Sequence, residues 1–276
     1  MVEYVIANTT VVPVRENPSE GSEQLTQLLF GEVCEVLDRL PRWTKIRSTL
    51  DGQEGWVDFK MVSLVSSLIA SSPHRLEAVV ATPMVAATPM DGGADLLLTL
   101  GTRLPNYSHG TFEVLGQQYL IDPTCVNITT AQRSTGEADL QQSDLQRSDL
   151  ATIAQSLLNA PYLWGGKNLM GIDCSGFTQV VYAAMGVNLL RNAREQMTQG
   201  ELVSSLSESL TGDLAFFDHA DRDPKATNIS HVGLLLSPTE IIHCSGCVHI
   251  DTIDEQGIHL PDGSLTHHLV QIKRYL

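Results

Sequence analysis

The sequence is poor in cysteine, in aromatic side chains and in basic residues. Its 276 residues include five cysteines, and Phe, Trp and Tyr together make up 5%. This cysteine content excludes a small scaffold held together by disulfides. Lys and Arg number 17 against 32 Asp and Glu, a formal charge of −15. So large an excess of negative charge repels phosphate backbones, so we expect no nucleic-acid partner.

Long apolar runs are also absent. The best local candidate, residues 64–70, contains serines and is far shorter than the roughly 20 apolar residues of a membrane-spanning helix. We therefore expect no membrane segment. Residues 1–4 carry neither a basic region nor an apolar run, which predicts a cytoplasmic protein. An exported protein whose leader was removed is the alternative.

Residues 1–65 predict a small all-β domain. Hydrophobic residues make up 42% of the chain, enough for a folded core. Turn clusters separate short segments with alternating or β-branched residues. The predicted strands are 4–7, 10–14, 32–37 and 44–47. Short strands with turns at such close spacing are typical of a small barrel or sandwich.

The order of features in this region resembles bacterial SH3-like domains. The matching segments are Val-Arg-Glu-Asn-Pro-Ser at 14–19, Leu-Phe-Gly-Glu at 29–32, Trp-Thr-Lys-Ile-Arg at 43–47 and Asp-Gly-Gln-Glu-Gly-Trp-Val at 51–57. An unrelated small β-barrel is the alternative. We predict one SH3-like domain at residues 1–65.

Residues 66–130 repeat this style less clearly. Segments 111–115 and 118–121 predict a hairpin around Gly116. We therefore predict a second, degenerate SH3-like domain over 66–130. Residues 131–148 are rich in Ser, Thr, Gln, Asp and Glu, which predicts a linker that passes into a helix.

The C-terminal part, residues 149–276, shows a different pattern. Helices are predicted at 151–158 and at 175–185, where apolar residues recur at helical spacing before Gly186. Five β-rich segments follow, at 213–217, 231–236, 240–244, 248–251 and 269–275. Helices first and an antiparallel sheet afterwards predict an α+β domain.

Cys174 is the candidate nucleophile. It begins the predicted helix in the sequence Asp173-Cys174-Ser175-Gly176. A thiol at a helix N-terminus faces unpaired backbone N–H groups and the positive end of the helix dipole, which favour the thiolate. The same N–H groups can stabilise the oxyanion of a tetrahedral intermediate. The alternative is a buried structural cysteine.

A cysteine nucleophile needs a base, and the base needs an orienting partner. His231 opens one predicted strand and His243 ends the next. Neighbouring antiparallel strands can place the two imidazoles side by side, with His231 as base and His243 holding its tautomer. We interpret the other histidines of the C-terminal part as surface residues: His219, His249, His259, His267 and His268.

Cys244 and Cys247 form a C-x-x-C pair. A zinc site there would need further ligands, for which only His243 and His249 offer themselves. A redox role is disfavoured because no strand-motif-helix context surrounds the pair. We therefore expect no metal and no cofactor.

The C-terminal part resembles an NlpC-type cysteine peptidase domain of the papain-like superfamily. The segments that carry the resemblance lie in the family's order: Pro-Tyr-Leu-Trp-Gly-Gly at 161–166, Asp-Cys-Ser-Gly-Phe at 173–177, Gly-Asp-Leu at 212–214 with Phe216-Phe217, Ile-Ser-His-Val-Gly-Leu at 229–234, and Ile-His at 242–243. With SH3-like modules in front, the chain resembles bacterial γ-D-glutamyl-L-diamino acid endopeptidases. These enzymes cut murein stem peptides.

The resemblance implies the site residues. It implies Cys174, His231 and His243 as catalytic triad, and a substrate pocket formed by Tyr162, Trp164, Asp173 and Ser175. It implies that Asp173 binds the amine of a free N-terminal L-Ala and that Tyr162 donates to the oxyanion. Glu23, in the first domain, is a candidate acidic contact. Ala193 departs from the family, which often has Ser or Thr there, so a hydroxyl contact to the substrate is missing.

The implied activity is hydrolysis of the γ-D-glutamyl–diamino acid bond in cell-wall peptide recycling. The partner is then a murein stem peptide, and the sequence indicates no oligomeric state. Two alternatives remain open: another amidase or acyltransferase on the same Cys-His core, and a catalytically weak protein that binds wall peptides.

Overall fold

A computed structural model describes residues 2–66, 78–129, 138–219 and 228–276. The described chain forms three parts, which we call the first β unit (4–65), the second β unit (78–128) and the C-terminal unit (138–276). No helix within these described ranges is long and apolar enough to cross a membrane.

The first β unit is one antiparallel sheet in the order β3-β2-β6-β5-β4-β1-β7. Its strands are β1 (Tyr4–Ala7), β2 (Val11–Arg15), β3 (Gln24–Leu29), β4 (Val33–Arg39), β5 (Trp43–Ser48), β6 (Glu54–Asp58) and β7 (Val62–Val65). Alternate residues of these strands, among them Val12, Val14, Ile46 and Val57, point into a common core. All four predicted strands of this region are present. Strand β3 was not predicted.

The second β unit has a four-stranded sheet, β10-β9-β12-β11, and a separate pair, β13-β8. The strands are β8 (Ala78–Val80), β9 (Met84–Pro89), β10 (Leu96–Thr99), β11 (Thr111–Val114), β12 (Gln117–Ile121) and β13 (Val126–Ile128). The hairpin predicted around Gly116 is confirmed, because β11 and β12 pair across it. The core of this unit continues into the first one through Ile6 and Phe30. Its assignment as a degenerate SH3-like domain stays a prediction.

The C-terminal unit places two longer helices before a closed sheet. Its elements are α1 (Ala138–Gln155), β14 (Lys167–Asn168), β15 (Gly171–Ile172), α2 (Cys174–Ala184), α3 (Ala193–Gln196), β16 (Glu201–Val203), β17 (Leu214–His219), β18 (His231–Ser237), β19 (Glu240–Ser245), β20 (Cys247–Asp254), β21 (Gly257–His259) and β22 (Leu265–Arg274). The strand order is β16-β22-β17-β18-β19-β20-β21, and β21 also pairs with β22. Strands β17 to β22 therefore close into a ring.

Two apolar layers hold this unit together. Alternate residues of β18 and β19, such as Val232 and Ile242, pack against α2. The intervening residues, such as Leu235 and Ile241, fill the interior of the ring. This alternation places successive side chains of each strand on opposite faces. Helices on an antiparallel sheet are the layout that the sequence predicted, while the papain-like relationship stays a prediction.

Helix α1 starts earlier than predicted. Residues 138–148, predicted as linker, are helical, and the helix ends at Gln155 rather than at residue 158; residues 130–137 lie outside the described part. The polar composition suggested a linker, although Ala, Leu, Gln and Arg are good helix formers. Buried Arg147 anchors the helix by donating to the carbonyl of Thr211.

Candidate active site

The N-terminus of α2 carries Cys174, and the local sequence explains why the helix begins there. The Asp173 side chain caps the helix by accepting the Gly176 N–H at 2.6 Å. A Cβ on Gly176 would lie 2.1 Å from the carbonyl oxygen of Gly166. Glycine is therefore required at 176 for the loop 161–166 to lie against the start of the helix.

Cys174 is a buried thiol, 8% exposed. Burial raises its pKa to about 12, and the negative charge of Asp173 adds to this effect. Backbone N–H groups of Val232 and Ser175 donate toward the sulfur and oppose the rise in pKa. The expected stabilisation of the thiolate by the helix N-terminus is thus present but smaller than the cost of burial. The resting nucleophile is a thiol whose proton must be removed.

The structure brings His231 and His243 into hydrogen-bond distance. Nε2 of His231 lies 2.8 Å from Nδ1 of His243. The two residues lie on adjacent antiparallel strands, where His243 is directly opposite Gly233. A Cβ on Gly233 would lie 2.9 Å from that of His243, so glycine leaves room for the imidazole. The backbone N–H next to His231, that of Val232, contacts the Cys174 sulfur.

Asp251 extends this pair into a chain of three groups. Its Oδ2 lies 3.1 Å from Nε2 of His243. Burial lowers the pKa of His243, and the hydrogen bond from His243 lowers the pKa of Asp251. A neutral His243 beside an ionised Asp251 carries its proton on Nε2 and accepts at Nδ1. His231 then donates from Nε2, and in its neutral form its Nδ1 carries no hydrogen.

His249 and His267, predicted as surface residues, lie beside the candidate triad. Nε2 of His249 is 3.0 Å from Asp251 Oδ2. The ring of His267 lies 4.4 Å from that of His231, centroid to centroid. Both residues are half-buried, so their surface prediction was wrong. Exposed His268 agrees with its prediction, and the side chain of His219 lies outside the described residues.

A signal for His249 and Asp251 exists in the sequence. Strands β19 and β20 pair symmetrically about Gly246, so that His243 lies opposite His249. Asp251 is two residues further along and therefore on the same face. A hairpin centred on Gly246 would have predicted the cluster from the sequence.

Asp173 has a second partner in Arg191. The guanidinium donates to both carboxylate oxygens, at 3.0 and 2.6 Å, and also to Oγ of Ser175 at 2.9 Å. Oδ2 of Asp173 also accepts the N–H of Gly165 at 2.8 Å. Asp173 is 5% exposed. The geometry makes Asp173 and Ser175 positioning groups for the Cys174 loop, and their contact with a substrate stays a prediction.

The first β unit reaches the same network through strand β3. Nε of Arg191 donates to Oγ1 of Thr26 at 2.6 Å. The backbone N–H of Lys167 donates to Gln27 Oε1 at 2.9 Å. Nζ of Lys167 also lies 3.1 Å from buried Glu32. The unpredicted strand β3 is therefore part of the frame of the site.

We call the outer edge of the candidate active site, at Tyr162, Trp164 and Glu23, the rim. Nε1 of Trp164 donates to Oε1 of Glu23 at 2.7 Å, and its ring is 59% exposed. Tyr162 is 38% exposed. Burial of its inner part and the nearby Cys174 raise its pKa, so its hydroxyl remains a donor at neutral pH. Of the five side chains that the sequence predicted for substrate contact, Trp164 and Glu23 are thus joined by a hydrogen bond, and Tyr162 lies in the same loop, 161–166, as Trp164.

Ala193 and the two cysteines of the C-x-x-C pair lie outside the candidate triad. Ala193 is buried at the start of α3, whose N-cap is Asn192. Sγ of Cys244 lies 3.2 Å from the carbonyl oxygen of Ile172, on the face of β19 opposite His243. Cys244 and Cys247 are both free thiols. The two cysteines therefore do not join His243 in a common site.

Two family models match this chain. The bacterial SH3 domain matches residues 10–63. The NlpC/P60 family matches residues 159–268, which include Cys174, His231 and His243. The chain therefore contains a segment that matches the bacterial SH3 domain and a segment that matches the NlpC/P60 family. NlpC/P60 peptidases are cysteine peptidases, which agrees with the residues assembled at the start of α2.

Two curated relatives match most of this chain. The chain is 27% identical over 231 residues to a γ-D-glutamyl-L-lysine dipeptidyl-peptidase of Bacillus cereus, over 79% of this chain and 66% of that protein. It is 28% identical over 230 residues to a protein of the same name from Bacillus subtilis, over 79% and 71%. The chain thus spans about two thirds of the length of the relatives it matches.

Solved structures share the fold along the whole chain. An NlpC/P60 family protein from Bacillus cereus superimposes with a TM-score of 0.78 at 20% identity, over 99% of both chains. An NlpC/P60 endopeptidase from Photobacterium damselae subsp. piscicida gives 0.60 at 16% identity, over 98% of this chain and 65% of that one. The three-part arrangement described above is therefore found in another NlpC/P60 protein.

Proposed function

We propose that this protein is a cysteine endopeptidase that hydrolyses the γ-D-glutamyl–diamino acid bond of murein stem peptides. Its substrates are short fragments with a free N-terminal L-Ala, as in recycling of cell-wall peptides inside the cell. One observation supports this above others. Cys174 begins α2 beside His231 and His243, and Nε2 of His231 lies 2.8 Å from Nδ1 of His243. The names of the two curated relatives support the choice of bond.

The proposed reaction begins with proton transfer. Nδ1 of His231 takes the proton of the Cys174 thiol as the sulfur attacks the γ-carbonyl carbon of D-glutamate. The carbonyl oxygen becomes an oxyanion, to which the Tyr162 hydroxyl and the N–H groups at the start of α2 donate. Because the resting thiol has a pKa of about 12, attack and proton transfer are coupled.

The second half of the reaction releases both products. His231 gives its Nδ1 proton to the leaving amine of the diamino acid as the C–N bond breaks. It then takes a proton from water, whose oxygen attacks the thioester. The C–S bond breaks, L-Ala-D-Glu leaves, and the thiol is restored. His243 and Asp251 stabilise the imidazolium of His231 through the hydrogen bond at Nε2.

Glu23 supplies the charge for the substrate's free amine. It is the acidic group on the rim, held 2.7 Å from Trp164. Asp173, the other predicted amine contact, already accepts hydrogen bonds on both oxygens from Arg191 and from backbone N–H groups. An ionised carboxylate has about four acceptor sites, so the geometry supports Glu23 over Asp173 for this role.

Mass spectrometry of a defined tripeptide tests the proposed bond. The substrate is L-Ala-γ-D-Glu-diaminopimelate, with its lysine analogue and the N-acetylated form of each. We expect L-Ala-D-Glu from the free peptides and at least about tenfold slower release from the acetylated ones, since a lost charge-assisted hydrogen bond costs about 1.5–3 kcal/mol. Equal rates on free and acetylated peptides would contradict the preference for a free amine.

The Cys174→Ala variant tests the nucleophile. We expect no measurable product, with an unchanged thermal unfolding curve. Cys125→Ala is the matched control, because Cys125 is half-buried in the second β unit, and we expect it to keep full activity. Hydrolysis retained by Cys174→Ala would refute the proposed reaction. Transfer of the dipeptide to an added amine, instead of to water, would favour the acyltransferase alternative.

A further inference from the structure

Three side chains of metal-binding type lie close together, and one of them is His243 of the candidate catalytic pair. His243, His249 and Asp251 each offer one ligand atom, and these atoms all lie within 4.8 Å of one another. Within the part of the chain that the structure describes, this is the single group of that kind. Neither Cys244 nor Cys247 belongs to it, so it differs from the C-x-x-C site considered from the sequence.

The spacing suits a tetrahedral ion. Asp251 Oδ2 lies 3.1 Å from Nε2 of His243 and 3.0 Å from Nε2 of His249. Zinc binds nitrogen and carboxylate oxygen at about 2.0–2.2 Å, so that neighbouring ligand atoms of a tetrahedral site lie about 3.3 Å apart. Two imidazoles and one carboxylate are also a ligand set that leaves the fourth position to water.

The outer contacts of His249 resemble those of a metal ligand. Its Nδ1 lies 2.8 Å from the carbonyl oxygen of Cys247. A carbonyl only accepts, so Nδ1 carries hydrogen and directs Nε2 toward Asp251. Histidines that bind metal commonly donate their other ring N–H to a backbone carbonyl or carboxylate in this way. The His249 side chain is 32% exposed, against 1% for His243 and 12% for Asp251, so an ion has access from its side.

Two imidazole nitrogens face one carboxylate oxygen at this position. Nε2 of His243 and Nε2 of His249 lie 3.1 and 3.0 Å from the same Asp251 Oδ2. A divalent cation can bind all three atoms at once.

We propose that His243, His249 and Asp251 form an inhibitory zinc site. Zinc on Nε2 of His243 obliges that neutral ring to carry its hydrogen on Nδ1, from which it donates to Nε2 of His231. His231 then carries its own hydrogen on Nδ1 and cannot accept the proton of Cys174. The numbers of protons on His231 and His243 are unchanged.

The zinc site itself is independent of the proposed function, whereas the inhibition rests on it. Because general-base catalysis contributes about 100-fold or more, saturating zinc lowers kcat about 100-fold. A chelator restores the activity. Because zinc acts on proton transfer by His231, we expect the KM for the tripeptide to change less than kcat.

Direct binding is measured first, on the full chain carrying Cys174→Ser, so that the candidate nucleophile cannot hold the metal. Titration calorimetry with Zn²⁺ gives the affinity and the stoichiometry. We expect one zinc per chain. His249→Ala, and independently Asp251→Asn, should weaken binding by at least about tenfold. Cys247→Ser is the matched control and should bind as tightly as its parent.

Cobalt identifies the ligand atoms. Co²⁺ at this site should show the visible bands of a tetrahedral ion without the sulfur-to-cobalt charge transfer of a thiolate ligand. A sulfur band that disappears with Cys247→Ser, or no measurable binding of either ion, would overturn the proposal. So would zinc binding that His249→Ala and Asp251→Asn leave unchanged.

Inhibition is measured with the tripeptide, as the ratio of kcat in chelator to kcat in zinc for each protein. The ratio should be large for the native chain and should fall toward one in His249→Ala. Hydrolysis that zinc leaves unchanged would overturn the inhibitory role and leave the proposed function intact. Zinc binding by a chain that hydrolyses none of the peptides in chelator would refute the proposed function and leave the metal site intact.

Discussion

The two β units contact the C-terminal unit in different ways. In the first, polar side chains of strand β3 and its flanking loops contact the residues around Cys174. Thr26 accepts a hydrogen bond from Arg191, and Glu23 accepts one from Trp164. The second lies against the opposite end of α2. There Gly101 approaches Val180, and the side-chain amide of Asn127 donates to the carbonyl of Ala184.

The first β unit therefore contributes side chains to the frame of the candidate site, whereas the second β unit supports α2. In the first unit Glu32 is buried in an ion pair with Lys167, in the segment that leads to Cys174. In the second unit Arg103 bonds Asn188 through one nitrogen at 2.5 Å, while its Nη1 has no partner among the described residues. We infer that changes at the first interface alter the chemistry and that changes at the second alter stability slightly.

The largest effect is expected at Cys174, which lies on the side covered by the first unit. A pKa of about 12, against 9.0 for an ordinary cysteine, makes the thiolate about 1000-fold scarcer at neutral pH. Alkylation by iodoacetamide, followed by peptide mapping, should be slow and rise about tenfold per pH unit up to pH ~10. A plateau near neutral pH would instead show a resting thiolate–imidazolium pair.

The next effect is on stability. Arg191→Ala leaves buried Asp173 without its counter-charge, which should lower the free energy of unfolding by about 3–5 kcal/mol. Urea unfolding measures it. Arg39→Ala is the control, because the Arg39–Glu3 pair, at 3.1 Å, is 43% and 56% exposed, and it should cost at most about 1 kcal/mol. Equal losses in the two variants would remove the distinction between buried and exposed pairs.

A smaller effect should appear at the rim. Glu23→Gln keeps the acceptor for Trp164 but removes the charge. The preference for the free over the N-acetylated tripeptide in kcat/KM should fall about tenfold, since a charge-assisted hydrogen bond contributes at least about 1.5 kcal/mol. Glu20→Gln, on the same loop and exposed, is the control. An unchanged preference in Glu23→Gln would assign the amine contact elsewhere.

The smallest effect is expected in the second unit. Burial lowers the pKa of Arg103, which means that folding disfavours its charged form. Arg103→Met removes one hydrogen bond together with that cost, so stability should change by less than about 1 kcal/mol. Peptide hydrolysis should be unaffected. A loss of activity comparable to that of Glu23→Gln would erase the contrast between the two units.

The sequence predicted what depends on local pattern. Strands with β-branched residues, the helix that starts at Cys174, and the meeting of His231 with His243 all follow from periodicity and turn residues. Strand β3 was missed because Gln-Leu-Thr-Gln-Leu-Leu has no continuous apolar alternation and only one β-branched residue. Its two glutamines and its threonine contact the C-terminal unit, so their role could be recognised only from the structure.

Electrostatic properties were the least predictable. A helix N-terminus suggested a thiolate, but Cys174 belongs to a buried cluster whose members include residues far away in sequence, such as Leu29 and Leu100. The partner of Asp173 was not predicted for the same reason, because Arg191 is 18 residues away along the chain. Burial and long-range pairing decide both quantities, and neither leaves a local signature.

The bond from Arg191 to Thr26 joins residues 165 positions apart. Contacts of such long range form late, because closing the intervening chain costs entropy before any contact is gained. The N-terminal unit can fold as soon as it is synthesised, but the loop around Cys174 is fixed only when the last strands have docked against it. The candidate nucleophile is therefore positioned only after His231 and His243, which lie on late strands, have been synthesised and have folded.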